Sequence, residues 1–360
     1  MQHENIFLAR KSLIQRIISS SKIDGLIFFD IINIRYLSGF TGSDGILVIN
    51  ENRTLLLVDG RYITQAKSET VNSEIFEYKD KIKGIVEAIQ LLRLRYIGFE
   101  AESVSVQMYN QLLLELPKHE LVPLVKELKM LRAYKDEAEI LLMKKAAEIS
   151  SSAILALSKE IKSGYSEKDL ALQLEIIARQ SGADQLAFET IFAFGENSAL
   201  PHAAPSDRKL RQGDFIIIDF GIKYKGYCSD ETCTFVFQGL TEEQKNVYQL
   251  VKKAHDQAID AVKAGVPAFE IDRCVRNIFG EKYEKYFSHG TGHGVGLEVH
   301  EAPRLNPTSR DILEERMVVT VEPGLYFPGQ WGIRIEDTLL VKKNSCEKLT
   351  KMDKELIIIE

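Results

Sequence analysis

Five side chains in the second half of this 360-residue chain have the chemistry of metal ligands: Asp219, Asp230, His293, Glu322 and Glu336. Asp219 lies inside the apolar run Ile216-Ile217-Ile218-Asp219-Phe220, Glu322 ends Val318-Val319-Thr320-Val321, and Glu336 sits in Gly332-Ile333-Arg334-Ile335-Glu336-Asp337. Acids on strands this apolar are either buried, where an unpaired carboxylate is expensive, or solvated at the strand surface. Lys223-Tyr224-Lys225-Gly226 separates two β-rich runs. A two-residue turn at Tyr224-Lys225 predicts a hairpin in which Asp219 faces Asp230. Like charges placed opposite one another destabilise a strand pair unless a cation lies between them.

The segment Ser288-His289-Gly290-Thr291-Gly292-His293-Gly294-Val295-Gly296, with His300 after it, puts three of the seven histidines within twelve residues. Its glycines let backbone and imidazoles approach a site closely. The spacing does not match GxGxxG and no Walker lysine follows, which argues against a dinucleotide or phosphate loop. Four carboxylates balance two divalent cations, and an oxygen-rich set with one histidine and no thiolate suits Mn²⁺ or Co²⁺ at least as well as Zn²⁺. Two such ions sharing a water and polarising a carbonyl are the arrangement of metal-assisted hydrolysis.

The elements that must carry these residues follow from periodicity. In the first third, short apolar runs predict strands over 25–29, 45–49, 55–58 and 96–99, and three- and four-residue apolar spacing predicts helices over 6–19, 61–68, 81–92 and 104–114. That alternation reads as a small α/β domain. A long amphipathic helix starts near Lys135, with Asp136, Glu137 and Glu139 at its dipole-favoured end. Further helices are expected over 167–180, 242–263 and 268–279, and strands over 215–221, 227–237, 317–321 and 332–341. Strands joined by hairpins and interleaved with longer helices make the second domain α+β. The expected domains are 1–130 and 131–360.

A chain of 360 residues exceeds one ordinary core, and 45% hydrophobic with 27% charged residues excludes disorder and low complexity. A net charge of -6 provides no basic footprint for nucleic acid or an anionic membrane, so a small molecule or a protein is the expected partner. No apolar run approaches the length of a membrane helix. Cys228, Cys233, Cys274 and Cys346 form no CxxC pair, and residues 1–21 carry charges where a secretion signal needs an apolar run. A cytoplasmic location is the resulting expectation.

Six segments, in order, resemble the pita-bread metallopeptidases and, among them, the Xaa-Pro peptidases: prolidase and aminopeptidase P. They are Asn197-Ser198-Ala199-Leu200-Pro201-His202; Asp219-Phe220-Gly221 with Ser229-Asp230-Glu231-Thr232; His289-Gly290-Thr291-Gly292-His293-Gly294; His300-Glu301-Ala302-Pro303-Arg304; Glu322-Pro323-Gly324; and Arg334-Ile335-Glu336-Asp337. Tyr36-Leu37-Ser38-Gly39-Phe40-Thr41-Gly42-Ser43 and Asp59-Gly60-Arg61-Tyr62 resemble the creatinase-type N-terminal domain of the same enzymes. The resemblance implies a pita-bread catalytic domain behind a smaller α/β domain, and two metals held by Asp219, Asp230, His293, Glu322 and Glu336, with Asp230 and Glu336 bridging. It implies attack by a bridging hydroxide with Glu322 as proton shuttle, and Mn²⁺ ahead of Co²⁺ or Zn²⁺. It further implies that His202, His289 and His300 line the substrate pocket, that Tyr326 and Arg334 support the site, and that the protein is a homodimer.

Xaa-Pro bonds lack an N–H and have a fixed φ, so they escape peptidases that bind substrates as added strands and require a dedicated pocket. Arg304 matches the position where prolidases hold a dipeptide carboxylate, a task that suits a guanidinium fork. Prolidase is therefore expected ahead of aminopeptidase P. A catalytically silent binding module or a metal-free amidinohydrolase of the same fold would lack metal ligands, and all five are present. Two residues depart from the family pattern: Cys233 stands where many relatives carry arginine, and Phe194 where a small residue is usual. Phe194 is expected to narrow or reshape the pocket.

Overall fold

The computed structural model describes the backbone of residues 2–360 and side chains from Ile6 onward. The chain divides into two compact units, Met1–Leu131 and Arg132–Glu360.

The first unit holds a six-stranded mixed sheet in the order Glu74–Glu77, Thr54–Val58, Ile46–Asn50, Gly25–Phe28, Tyr96–Glu100, Glu120–Leu124. The four inner strands are those the apolar runs predict, within a residue at each end. Both edge strands escape that reading for a physical reason. Glu74–Glu77 buries none of its residues, and Glu120–Leu124 buries only Leu124 and carries Pro123, so neither has the apolar run of an inner strand. Helix Ile31–Ser38 was also not expected; Asp30 caps it by accepting from Ile32 N–H, and Gly39 at φ 84° ends it.

The second unit is α+β, as expected. Helices Glu137–Ser158 and Glu167–Gln180 each begin with a reciprocal capping box, Asp136 with Glu139 and Ser166 with Asp169. Their apolar faces pack on one side of a four-stranded sheet ordered Ile358–Ile359, Glu231–Phe237, Phe215–Phe220, Ile191–Phe194. A second sheet has the order Glu301–Leu305, Gly292–Gly294, Val318–Val321, Asp337–Val341, Cys346–Lys348. Two bonds stitch the sheets where they meet: Glu336 N–H donates to Thr232 O (3.1 Å), and Thr338 Oγ1 donates to Asp230 O (2.7 Å). The strand predicted over 332–341 is in fact two, Trp331–Arg334 and Asp337–Val341, with the chain turning between sheets at Ile335 and Glu336.

The hairpin register differs from the expected one. Lys225 and Gly226 both have positive φ (48° and 88°) and form the turn, so Asp219 pairs with Thr232 rather than Asp230. The primed turn needs φ above zero at both central residues, and glycine at the second decides the register. Extending that register places Asp230 across from Gly221, two residues beyond Asp219 and therefore on the same face. The two acids remain neighbours, on the diagonal rather than directly opposed.

Phe194 does not shape a pocket. Strand alternation sends Phe192 and Phe194 into the fully buried core against Ile216, Ile218 and Phe235, edge-to-face at 5.7 Å, while Ile191 and Ala193 face the other way. Phe194→Ala should therefore cost about 3–5 kcal/mol of stability by leaving a cavity. The ratio of rates on different substrates should stay unchanged; a shifted ratio at full folding would return Phe194 to the pocket.

Candidate metal centre and substrate cavity

A cavity of about 580 Å³ opens on the face of the second unit opposite that core. All five sequence-identified ligand candidates line it, together with His202, His289, His300, Arg304 and Arg334. Tyr326 does not; it stands behind Arg334 and His289. Asp219 comes from the first strand of the hairpin, Asp230 from the bend before Glu231–Phe237, His293 from Gly292–Gly294, Glu322 from the end of Val318–Val321, and Glu336 from the crossing between sheets. Thus no two ligands owe their placement to one short motif; the meeting of the sheets assembles them.

Glycines flank His293 because the backbones beside it nearly touch. A Cβ on Gly292 would lie 2.0 Å from Thr320 O, and one on Gly294 2.1 Å from Ala302 O. His293 Nδ1 lies 3.1 Å from Gly294 O, a carbonyl that can only accept, so Nδ1 carries a proton and Nε2 is the nitrogen that can offer a lone pair to the cavity. That lone pair faces Glu322 Oε1 at 3.3 Å and Asp230 Oδ2 at 3.6 Å. With Nε2 unprotonated, as a metal ligand must be, three acceptors converge there and repel one another unless a cation sits between. The tightest group is Asp230, His293 and Glu336, with one donor atom from each within 4.8 Å of the others.

The carboxylates tell the same story. Burial, then Glu336, Asp219 and Glu322, push Asp230 well above the usual carboxylate range; burial, then Glu322 and Asp219, do the same to Glu336. Burial also raises Asp219, although Arg334 opposes it through a 2.6 Å ion pair to Oδ2, and Asp219 Oδ1 is buried with no hydrogen-bond partner. Glu322 goes the other way in the metal-free protein: burial is outweighed by a hydrogen bond from the His293 ring and by the charges of His293, His289 and Arg334, which hold it at about 2. Buried acids that repel one another, an orphaned carboxylate oxygen and an imidazole lone pair aimed at them fit divalent cations well.

A directed chain supports the rim. Arg334 Nη1 donates to Tyr326 Oη (2.6 Å), which leaves the phenol proton for His289 Nε2 (2.9 Å), and His289 Nδ1 then donates to Gly290 O (2.8 Å). Burial lowers His289 and pushes Tyr326 up to about 12, so this relay stays in one protonation state near neutrality. His300 stacks edge-on against His293 at 4.3 Å, and its partial burial, then His293, lower it to about 4. His202 and Arg304 are exposed at the cavity wall.

Sequence reasoning missed the threonines that fix these acids. Thr232 Oγ1 donates to Glu336 Oε2 (2.7 Å), and Thr320 Oγ1 accepts from His293 N–H (3.0 Å) and donates to Glu322 Oε1 (3.3 Å). The available signal was a hydroxyl inside otherwise apolar strands.

The sequence profile of Metallopeptidase family M24 matches residues 141–343, more than half of the chain. The chain belongs to metallopeptidase family M24. The Creatinase/Prolidase N-terminal domain profile matches residues 10–134 ahead of the M24 region. Over 340 residues the chain is 37% identical to a Xaa-Pro dipeptidase of Pyrococcus horikoshii, covering 94% of this chain and 95% of that one. A Xaa-Pro dipeptidase structure from Bacillus anthracis superposes with a TM-score of 0.95 at 36% identity, over 98% of this chain and 99% of that one. An X-Pro aminopeptidase structure from Thermotoga maritima gives 0.89 at 38% identity, over 97% and 99%. This M24 member therefore has the pita-bread catalytic fold behind a creatinase-type domain. Among its described residues no helix is long and apolar enough to cross a membrane.

Proposed function

We propose that this M24 protein hydrolyses the Xaa-Pro bond, preferring Xaa-Pro dipeptides, with two divalent cations held by Asp219, Asp230, His293, Glu322 and Glu336. The observation that carries this reading is the convergence of four carboxylates and one imidazole lone pair on a single cavity whose innermost cation is Arg334. When bound, such ions supply Lewis acidity toward the scissile carbonyl and lower the pKa of water. Oxygen-rich ligation favours Mn²⁺, with Co²⁺ and Zn²⁺ as the other candidates.

The protein's own groups do the rest. Glu322 has a side chain 18% exposed, against 13% for Asp219 and 6% for Asp230, so substrate reaches it most easily. Its Oε1 is engaged by Thr320, which leaves Oε2 to take a proton from the attacking water and return it to the proline nitrogen as that nitrogen leaves. His300, neutral near pH 7, hydrogen-bonds the substrate backbone; His202 borders the proline ring, and His289 is held in one tautomer at the rim. The reading includes a homodimer, which a monomeric mass by light scattering would remove.

Arg304 favours the dipeptidase over aminopeptidase P. It is exposed at the cavity wall, where its fork can meet a free carboxylate one residue beyond the scissile bond. Arg304→Met should lower kcat/KM for Xaa-Pro by about 10- to 100-fold, the worth of one or two charge-assisted hydrogen bonds, and leave Xaa-Pro-Yaa-Zaa nearly unaffected. Faster cleavage of the tetrapeptide by the unaltered protein would assign it to the aminopeptidases instead.

A further inference from the structure

The residues that follow two candidate ligands are themselves buried acids: Glu231 after Asp230 and Asp337 after Glu336, each 0% exposed. Neither lines the cavity. Strand alternation turns them to the rear, away from the ligands that precede them. There they share one buried ammonium group, Lys354 Nζ, 2.7 Å from Glu231 Oε1 and 3.8 Å from Asp337 Oδ1, on a residue itself 4% exposed; Asp337 Oδ2 is also paired with the half-exposed Lys348 Nζ at 2.7 Å and lies 3.3 Å from the buried His255 Nε2.

The segment around Lys354 is tied to the same two acids. Met352 N–H donates to Glu231 Oε1 (3.1 Å), Thr350 Oγ1 donates to Asp337 Oδ1 (2.6 Å), and Ser151 on the helix Glu137–Ser158 donates to Glu231 Oε2 (2.5 Å). Asp230 and Glu336 immediately precede strands of different sheets, Glu231–Phe237 and Asp337–Val341, joined near the site by the two bonds described above. On the cavity side their carboxylates repel one another and push those sheets apart. On the rear, a single buried cation draws the next residue of each strand toward the same point.

We propose that Lys354 is a positioning residue for the metal centre. Its ammonium clamps Glu231 to Asp337 and thereby sets the separation of Asp230 and Glu336. The inference rests on the two-metal reading of the cavity. It assigns a role to the C-terminal segment, which contributes no group to the cavity, and it accounts for Cys233: the thiol lies 3.2 Å from Lys354 Nζ on the rear face and takes no part in the substrate site.

The test is a calorimetric titration of chelator-treated protein with MnCl₂, with thermal melts of each metal-free variant alongside. The unaltered protein and Lys351→Met, which removes an exposed neighbouring ammonium, should bind two Mn²⁺ per chain alike. Lys354→Met should bind Mn²⁺ at least about tenfold more weakly, the effect expected when support behind a ligand is lost. The sign is informative, because deleting a nearby cation would tighten Mn²⁺ binding by Coulomb's law alone. Glu231→Gln/Lys354→Met removes both halves of the closer ion pair and leaves Asp337 paired with Lys348 Nζ at 2.7 Å, so no lone buried charge remains to unfold the chain; it should show the same weakening. Unaltered Mn²⁺ affinity in Lys354→Met or in the double variant, even with a lower melting temperature, would reduce Lys354 to a stabilising ion pair and overturn the proposal. Absence of Mn²⁺ binding by the unaltered protein would instead overturn the two-metal reading, and the clamp with it.

Discussion

Glu336→Gln is expected to hydrolyse Xaa-Pro dipeptides at least about 1,000-fold more slowly than the unaltered protein, a loss of about 4 kcal/mol of transition-state stabilisation. The substitution is nearly isosteric and keeps an oxygen for Thr232 Oγ1, which donates to Glu336 Oε2 at 2.7 Å. What it removes is a negative charge that a cation needs. In the metal-free protein that charge is a liability, since burial and the nearby Glu322 and Asp219 push Glu336 well above the usual carboxylate range. The metal-free variant should therefore melt no lower than metal-free unaltered protein, while the gain in melting temperature on adding Mn²⁺ shrinks. Near-normal turnover would contradict the ligand assignment. A collapsed fold would contradict the claim that Glu336 serves chemistry rather than stability.

Removing metal should have the next largest effect. Chelation is expected to abolish activity reversibly and to lower the melting temperature, because each bound ion at 100 times its Kd contributes about 2.7 kcal/mol. The pH dependence has a definite sign. Asp230 and Glu336 are raised in the fold, so their contribution to stability is present below the ordinary carboxylate range and is lost as pH rises through their raised values. Glu322 is lowered to about 2, and its contribution is lost only as pH falls toward that value. Metal-free protein should thus lose stability from about pH 5 upward more steeply than metal-free Glu336→Gln, and Mn²⁺ should remove the difference. Melts across about pH 5 to 8 with and without chelator read this directly; parallel curves for the two metal-free proteins would show that the acids do not repel as described.

How much of this was legible in the sequence depended on the kind of constraint. The inner strands and long helices were legible because burial imposes a period: Ile216 to Phe220 has no solvent side, and Glu167 to Gln180 carries both its cap and its apolar stripe. The edge strands Glu74–Glu77 and Glu120–Leu124 were not, because an edge makes no such demand on composition. The hairpin was found but its register was set two residues away from the observed pairing, since apolar patterning cannot distinguish shifts that preserve the face; only the φ requirement at Lys225-Gly226 could. The shift left Asp219 and Asp230 as neighbours, which is why the ligand set survived the error.

Phe194 shows the reverse case. Its size next to a motif suggested a pocket wall, yet alternation along Ile191–Phe194 puts it in the core. Thr232 and Thr338 had no spacing signature, because their partners lie 104 and 108 residues away in sequence and meet them only where two sheets meet, and Thr320 reaches His293 only through the pairing of two strands 27 residues apart. Lys354 was equally silent: a lysine near the end of a chain looks solvated until the fold buries it between Glu231 and Asp337.

The central claim is that the cavity holds catalytic divalent cations acting on a Xaa-Pro bond. The most direct measurement strips the protein with chelator, titrates it with MnCl₂, and follows hydrolysis of a Xaa-Pro dipeptide and a Xaa-Ala control at every step. Activity on Xaa-Pro should rise from background in step with occupancy, saturate near two ions per chain, and exceed activity on Xaa-Ala throughout. Hydrolysis that persists in the metal-free protein, or full metal occupancy with no turnover of any Xaa-Pro substrate, would contradict the account.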